Sequence, residues 1–197
     1  GAGEDISFDI ALINSFKANV YIFDPTPRSK QHYDTLINHV KKGMMMSINN
    51  DKSQYYILTK EDLNRCKFFP FGIWSEDKVL KFYLPRNPLH VSHSIVNLQK
   101  TNSFFVAECK KISSVMFLFG HEKIDLIKLD IEGAEYEVIK SLIKDKILPK
   151  ILCIEFDEGH TPKNFLSFFR ILNLIKKIRA EGYSLVVFND WNATFVK

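Results

Sequence analysis

The chain has 197 residues, 46% of them hydrophobic, which is enough for one globular domain with a sizeable core. Its net charge of +4 is spread along the chain, and no block of Lys or Arg is dense enough to indicate a nucleic-acid partner. No apolar run reaches the length of a membrane span. We therefore expect a cytoplasmic protein in which residues 1–197 form a single domain.

The cysteines and the first residue narrow the class of protein further. Cys66, Cys109 and Cys153 are widely spaced and odd in number, which indicates reduced thiols and not a disulfide framework or a zinc site. The chain starts at Gly1, inside a glycine-rich turn, and not at Met. We expect a truncated domain whose first strand precedes this turn.

The first elements are predicted in the order loop, helix, strand, acid, helix. After the turn at residues 1–5, a helix is predicted whose buried face carries Phe8, Ala11, Leu12 and Phe16. Residues 20–23 predict a strand that ends at Asp24. Two prolines then open a second helix, which Gly43 ends. This order is half of a Rossmann-like unit without its first strand.

The middle of the chain predicts two strands separated by a loop. Residues 79–84 alternate as a strand does, and residues 104–109 form the next strand before a helix at 110–119. The loop contains His90 and His93, three residues apart. Because no third ligand of suitable spacing accompanies them, we expect no metal site and interpret the loop as substrate-facing, with His93 as a candidate contact.

Residues 124–135 organise the chain. They predict a buried strand, then an acidic turn, then a helix. In open α/β sheets, ligands bind outside the carboxyl ends of the strands, so Asp130 and Glu132 are functional candidates. We interpret Glu135 as an acid that caps the helix. The strand predicted at 151–156 carries Glu155 near its end, and His160 follows in the next loop as a second candidate substrate contact.

The last elements are a helix and a hairpin. Thr161 and Pro162 predict a helix start, and the helix is expected to bury an apolar stripe in the core: Phe165, Phe168, Phe169, Leu172, Ile175 and Ile178. Residues 183–188 and 193–196 predict a terminal antiparallel hairpin.

The glycine turn and Asp24 have the spacing of a cofactor loop and a ribose-binding acid. A dinucleotide fingerprint needs a further glycine where this chain has Ile6, and Glu4 and Asp5 disfavour a pyrophosphate. S-adenosylmethionine has no phosphate and is cationic, so the acidic loop favours it over NAD. No Walker motif is present, which excludes P-loop chemistry.

Residues 124–135 resemble the signature of the FkbM-type S-adenosylmethionine-dependent methyltransferases, which commonly reads iDliKiDvEGaE. Residues 1–5, 23–27 and 72–84 are similar to that family's cofactor loop, second-strand motif and turn near the adenine. Residues 85–103 have no counterpart. The resemblance implies a class I methyltransferase fold, with a Rossmann-like, mostly parallel sheet, a C-terminal antiparallel hairpin and helices on both faces. It also implies methylation of a hydroxyl group on a small molecule or sugar.

The same resemblance implies the residues that bind S-adenosylmethionine. They are Gly1, Gly3 and Glu4 at the methionine end, Asp24 at the ribose, Gly72 and Ile73 at the adenine, and Asp130 near the methyl group.

A hydroxyl acceptor has to lose its proton, and Asp130, Glu132 and Glu155 are the candidate catalytic acids and bases. Asp130 and Glu155 end adjacent predicted strands, so both can face one cleft, where like charges raise one pKa. Other readings remain: an inactive Rossmann-like binding module, an NAD-dependent oxidoreductase, or an RNA methyltransferase, which the lack of a basic patch disfavours.

Overall fold

The computed structural model of the chain describes residues 1–49, 51–87, 93–97 and 99–197. His90 lies outside the described residues. The architecture is mixed α/β, built of small sheets and helices, as predicted at that level. The chain divides into two compact units, Gly1–Gly72 and Ile73–Lys197. In the described part of the chain, no helix has both the length and the apolar character that crossing a bilayer requires.

The described residues of the first unit form two α-helices, one 3₁₀ turn and four strands. They are α1 (Ser7–Phe16), β1 (Val20–Phe23), α2 (Pro27–Lys42), β2 (Ser47–Ile48), β3 (Asp51–Tyr55), a 3₁₀ turn (Leu63–Arg65) and β4 (Cys66–Phe69). β1 and β4 pair in parallel, and β2 and β3 pair in antiparallel fashion. Gly43 ends α2 as predicted, with a left-handed φ of +72° that glycine adopts without steric cost.

The buried face of α1 is not the predicted one. Ile6, Ile10 and Ile13 are buried, whereas Phe8 is exposed and Phe16 is 75% exposed. Both sets of residues have helical spacing, so periodicity alone does not select the face that packs. The isoleucine face packs into the core of this unit beside Leu36 and Val40 of α2.

The second unit carries the remaining elements, beginning with the short strand β5 (Gly72–Ile73) at the boundary. They are β6 (Lys78–Tyr83), β7 (Phe104–Lys110), α3 (Ile112–Phe119), β8 (Leu126–Leu129), α4 (Glu135–Lys144), β9 (Ile151–Glu155), α5 (Asp157–His160), α6 (Ser167–Ala180), β10 (Ser184–Asn189) and β11 (Asn192–Val196). The strand, turn and helix predicted from residues 124–135 are therefore present.

The main sheet of this unit has the strand order β10-β11-β9-β8. β10 and β11 form the predicted antiparallel hairpin, and β11 pairs with β9. β8 and β9 are parallel, and their register ends with Leu129 opposite Ile154. Asp130 and Glu155 are the next residues along each strand, so the sheet brings both acids to its carboxyl edge. In the smaller sheet, β7 lies between β5 and β6.

The prediction for α6 was wrong in its start and, except for Ile178, in its fully buried residues. The helix begins at Ser167, and Thr161 instead closes the short helix α5 through its N–H bond to the Asp157 carbonyl, 2.8 Å. Three aromatic side chains that were expected in the core are exposed, namely Phe165, Phe168 and Phe169. The buried face consists of Ser167, Ile171, Leu174 and Ile178. The aliphatic stripe, with spacings of three and four residues, is buried in place of the aromatic one.

Candidate functional site

The turn between β8 and α4 is folded around the carboxylate of Glu135. This side chain is fully buried, and its Oε1 accepts backbone N–H bonds from Ile131 at 3.2 Å and Gly133 at 3.1 Å. Glu132 and Gly133 both have positive φ, +55° and +94°. A left-handed conformation is unfavourable for glutamate and easy for glycine, so the turn stores strain at Glu132. Glu135 thus holds in place the turn that carries Asp130 and Glu132.

Asp157 is a site residue that sequence analysis did not identify. Its Oδ2 accepts the same Gly133 N–H as Glu135, at 3.1 Å, and its side chain is buried. Burial, followed by the neighbouring Glu135 carboxyl, raises the pKa of Asp157, and burial also raises the pKa of Glu135. The signal was available: Asp157 lies two residues beyond Glu155, at the end of a strand next to β8.

Asp130, Glu132 and Asp157 form an acid cluster. One carboxylate oxygen from each lies within 4.8 Å of the others, so these three residues could hold a metal ion. Acidic groups also gather in this way without a metal. The cluster concentrates negative charge at the carboxyl edge of the sheet, which favours any cationic group there.

The structure brings Asp130 and Glu155 together, as their strand order predicted. Burial and then the Asp130 carboxylate raise the pKa of Glu155. Asp130 itself is paired with Lys128, whose Nζ lies 2.9 Å from Oδ2. His160 Nε2 lies 4.0 Å from Glu155 Oε1. Lys128 and Asp130 therefore offset each other, while Glu155 has a pKa shifted towards neutral pH.

The described end of the histidine loop reaches the same turn. The Ser94 hydroxyl donates to the Glu132 carbonyl oxygen at 2.5 Å and is buried. His93 packs edge-on against the Phe105 ring, with the ring centroids 5.5 Å apart. Ser94 therefore places the described end of this loop beside the acidic turn, and the substrate-facing role of the loop stays a prediction.

In the first unit, Asp24 organises the glycine turn. Its Oδ2 accepts N–H bonds from Ala2 at 2.8 Å and Gly3 at 3.2 Å. Its Oδ1 accepts the N–H and the hydroxyl of Thr26, at 2.8 and 2.6 Å. Burial alone would raise the pKa of Asp24, but the hydrogen bonds from Ala2 and Thr26 hold it below its usual range. All four acceptor positions of this carboxylate are used within the protein.

The other predicted cofactor residues have separate surroundings. Glu4 forms a two-pronged ion pair with Arg28, with Nη2 2.5 Å from Oε2. Gly3 has a φ of +55°, which keeps the turn tight. Gly72 and Ile73 are both buried within β5. Sequence analysis did not anticipate the partner of Glu4, because Arg28 lies 24 positions away along the chain.

The family model for the methyltransferase FkbM domain matches residues 6–185, nearly the whole chain. The chain belongs to the FkbM methyltransferase family. The resemblance stated from residues 124–135 is thereby confirmed, and those residues form the turn described above.

Curated relatives of this FkbM-family chain cover a shorter stretch. The probable methyltransferase-like protein 24 of Homo sapiens is 39% identical over 59 residues, which is 30% of this chain and 15% of that protein. The protein of the same name from Rattus norvegicus has the same identity and coverage. The chain thus matches about 15% of the length of these relatives. No solved structure matches the chain.

Proposed function

We propose that this FkbM-family chain is an S-adenosylmethionine-dependent methyltransferase that methylates a hydroxyl group on a small molecule or sugar in the cytoplasm. The observation that supports it most is the set of acids at the carboxyl ends of β8 and β9, two adjacent parallel strands. Those acids follow the family's signature sequence. The proposal includes a class I, Rossmann-like arrangement of residues 1–197 as one domain.

The residues of the chain fit this cofactor chemically. When bound, S-adenosylmethionine supplies a methyl group that is already activated by a sulfonium. The acid cluster in the second unit provides the negative charge that suits such a cation. In the first unit, Asp24 holds the glycine turn in a tight conformation. Because its oxygens are occupied, Asp24 shapes the turn, and direct contact with a ribose would displace an N–H bond.

We assign the remaining cofactor contacts from the family resemblance. In the first unit, Gly1, Gly3 and Glu4 serve the methionine end, and Gly72 serves the adenine. In the second unit, Ile73 serves the adenine, and Asp130 lies near the methyl group, while Glu132 remains a candidate catalytic acid. The ion pair with Arg28 limits how Glu4 can act, because its carboxylate is already balanced.

The acceptor hydroxyl has to lose a proton as it attacks. Glu155 is the best placed base, since burial and Asp130 raise its pKa towards neutral pH while part of its side chain stays accessible. His160, 4.0 Å from Glu155, can take the proton onward. His93 remains a proposed contact for the substrate beside the acidic turn.

Isothermal titration calorimetry with S-adenosylmethionine and S-adenosylhomocysteine tests cofactor use. Both ligands should bind the wild-type chain, whereas NAD should not. A chain that binds neither methionine-derived ligand contradicts the proposal and supports an inactive module.

Methyl-transfer assays with Asp130→Asn test the site. This variant should lose at least about 100-fold in turnover and keep its fold, since removing a charge beside the reacting centre costs a few kcal/mol. The matched control is Asp125→Asn, at the other end of the same motif, where the acid forms an exposed ion pair with Lys150. Equal turnover in the two variants rules out the assigned role of Asp130.

A further inference from the structure

A cavity of about 400 Å³ lies in the second unit, along α4 and α6. Tyr136 and Lys140 line it from α4, and Arg170 and Lys177 line it from α6. Gly133, from the acidic turn, forms part of its wall. The cavity therefore adjoins the turn that carries the proposed reacting groups.

The cavity wall carries an excess of positive charge. Two of its four cations are offset locally: Lys140 by Glu137 at 2.6 Å, and Arg170 by the buried Glu158 at 2.9 Å. The other two, Lys163 and Lys177, form no ion pair with any residue that the structure describes. Two uncompensated ammonium groups facing one cavity attract an anion.

Tyr136 provides an independent observation. The residue is 8% exposed, and its Oη is a buried atom without a hydrogen-bond partner among the described residues. Burial, together with the carboxylates of Glu158 and Glu135, raises its pKa, so the phenol stays protonated and is a donor. A buried donor without an acceptor is costly and rare in folded proteins. An oxygen of a bound ligand would satisfy it.

We propose that this cavity binds the anionic group of the methyl acceptor, a carboxylate or phosphate on a hydroxylated small molecule such as a sugar acid or a sugar phosphate. Tyr136 donates a hydrogen bond to that group, and Lys163 and Lys177 supply the charge. Trp74, also in the wall, offers a flat apolar surface to the ring. This inference rests on the proposed methyl transfer and defines its substrate class.

Calorimetric titrations without cofactor test the inference separately from the enzymatic activity. The probes are glucuronate, glucose 6-phosphate and neutral glucose. At least one anionic probe should bind, more weakly as salt is raised, and glucose should bind at least about tenfold more weakly than that probe. The stronger of the two anions identifies the group. If neither anion binds, or if glucose binds equally well, the inference is wrong even when S-adenosylmethionine still binds.

Variants localise the binding to this cavity. The double change Lys163→Met and Lys177→Met should weaken anion binding by at least about tenfold, and Lys176→Met, an exposed lysine outside the cavity wall, should leave it unchanged. Tyr136→Phe removes only the unpartnered oxygen, so it should keep the fold and weaken binding by about threefold to tenfold. Unaltered binding in both the double variant and Tyr136→Phe overturns the proposal.

Discussion

Two buried carboxyl groups, Glu135 and Asp157, determine the conformation of the acidic turn. Both accept the N–H of Gly133 at 3.1 Å, so the strained backbone at Glu132 is held by hydrogen bonds to charged or proton-sharing acceptors. Such bonds are stronger than neutral ones. The arrangement fixes the direction of the Asp130 and Glu132 side chains.

The raised pKa of Asp157 predicts how stability changes with pH. Asp157 keeps a proton in the folded state that it releases in the unfolded chain. This proton contributes to the free energy of unfolding in full below about pH 4, and the contribution is lost as pH rises through the raised pKa. The free energy of unfolding should therefore fall by up to about 1.4 kcal/mol per pH unit in that window. Urea unfolding from about pH 5 to about pH 9 measures the slope.

Asp157→Asn should make this pH dependence shallower, because the amide cannot titrate and only the raised pKa of Glu135 remains in the pair. Asp125→Asn, which changes an exposed acid in the same unit, should keep the wild-type slope. An Asp157→Asn variant that loses stability with pH as steeply as the wild type would show that another group is responsible.

Ser94 ties the described end of the histidine loop to the acidic turn through the hydrogen bond from its hydroxyl to the Glu132 carbonyl oxygen. Ser94→Ala leaves the Glu132 carbonyl without this donor, and we expect a loss of about 1–3 kcal/mol in the free energy of unfolding. Chemical denaturation measures it, with Ser103→Ala, an exposed serine, as the control. A change no larger than that of the control would mean that the bond contributes nothing to the fold.

At the scale of elements, α1 and α6 pack through aliphatic side chains and leave aromatic ones in solvent. Ile10 and Ile13 are buried in α1, and Ile171 is 1% exposed in α6, while Phe169 is 63% exposed. β-branched residues have few rotamers and fill the space against a sheet at low entropic cost. Burial in α1 and α6 therefore does not follow residue size.

Substitutions on opposite sides of α6 should have very different effects. Ile171→Ala should cost about 2–5 kcal/mol of unfolding free energy, because it removes a fully buried side chain. Phe169→Ala should cost less than about 1 kcal/mol, since a largely exposed ring loses little burial. Thermal and urea unfolding compare the two variants. Similar losses of unfolding free energy would show that Phe169 is packed in the core as Ile171 is.

At the scale of the whole molecule, charge is distributed unevenly although the net charge is only +4. In the second unit, the acid cluster concentrates negative charge, and the cavity along α4 and α6 concentrates positive charge. Local charge of opposite sign suits a cationic donor and an anionic acceptor.

Binding of the proposed cofactor should stabilise the whole chain. At 100 times its dissociation constant, S-adenosylhomocysteine should add about 2.7 kcal/mol to the free energy of unfolding, because it binds only the folded state. Thermal unfolding with and without the ligand measures the shift, and NAD at the same concentration is the control. No shift with S-adenosylhomocysteine, or an equal shift with NAD, contradicts the proposed cofactor.

The sequence by itself determined the order of the main elements and the position of the acidic turn. β1, α2, β8, α4 and the terminal hairpin followed from apolar periodicity, prolines and glycines, which act on neighbouring residues. The family signature also placed Asp130 and Glu132 at the end of a strand, because its residues are neighbours in the chain. These features depend on contacts within a few positions of the chain.

Only the tertiary structure decided which helix faces are buried and which carboxylates accept hydrogen bonds from the backbone. The carboxylate of Asp24 accepts hydrogen bonds from the glycine turn, with Ala2 22 positions before it. Asp157 accepts the same Gly133 N–H as Glu135, although Asp157 and Gly133 are 24 positions apart. That the Tyr136 hydroxyl is buried without a hydrogen-bond partner among the described residues can likewise be seen only in the folded chain, where α4 and α6 line one cavity. Periodicity limits each helix to a few possible faces, and packing between distant segments selects one of them.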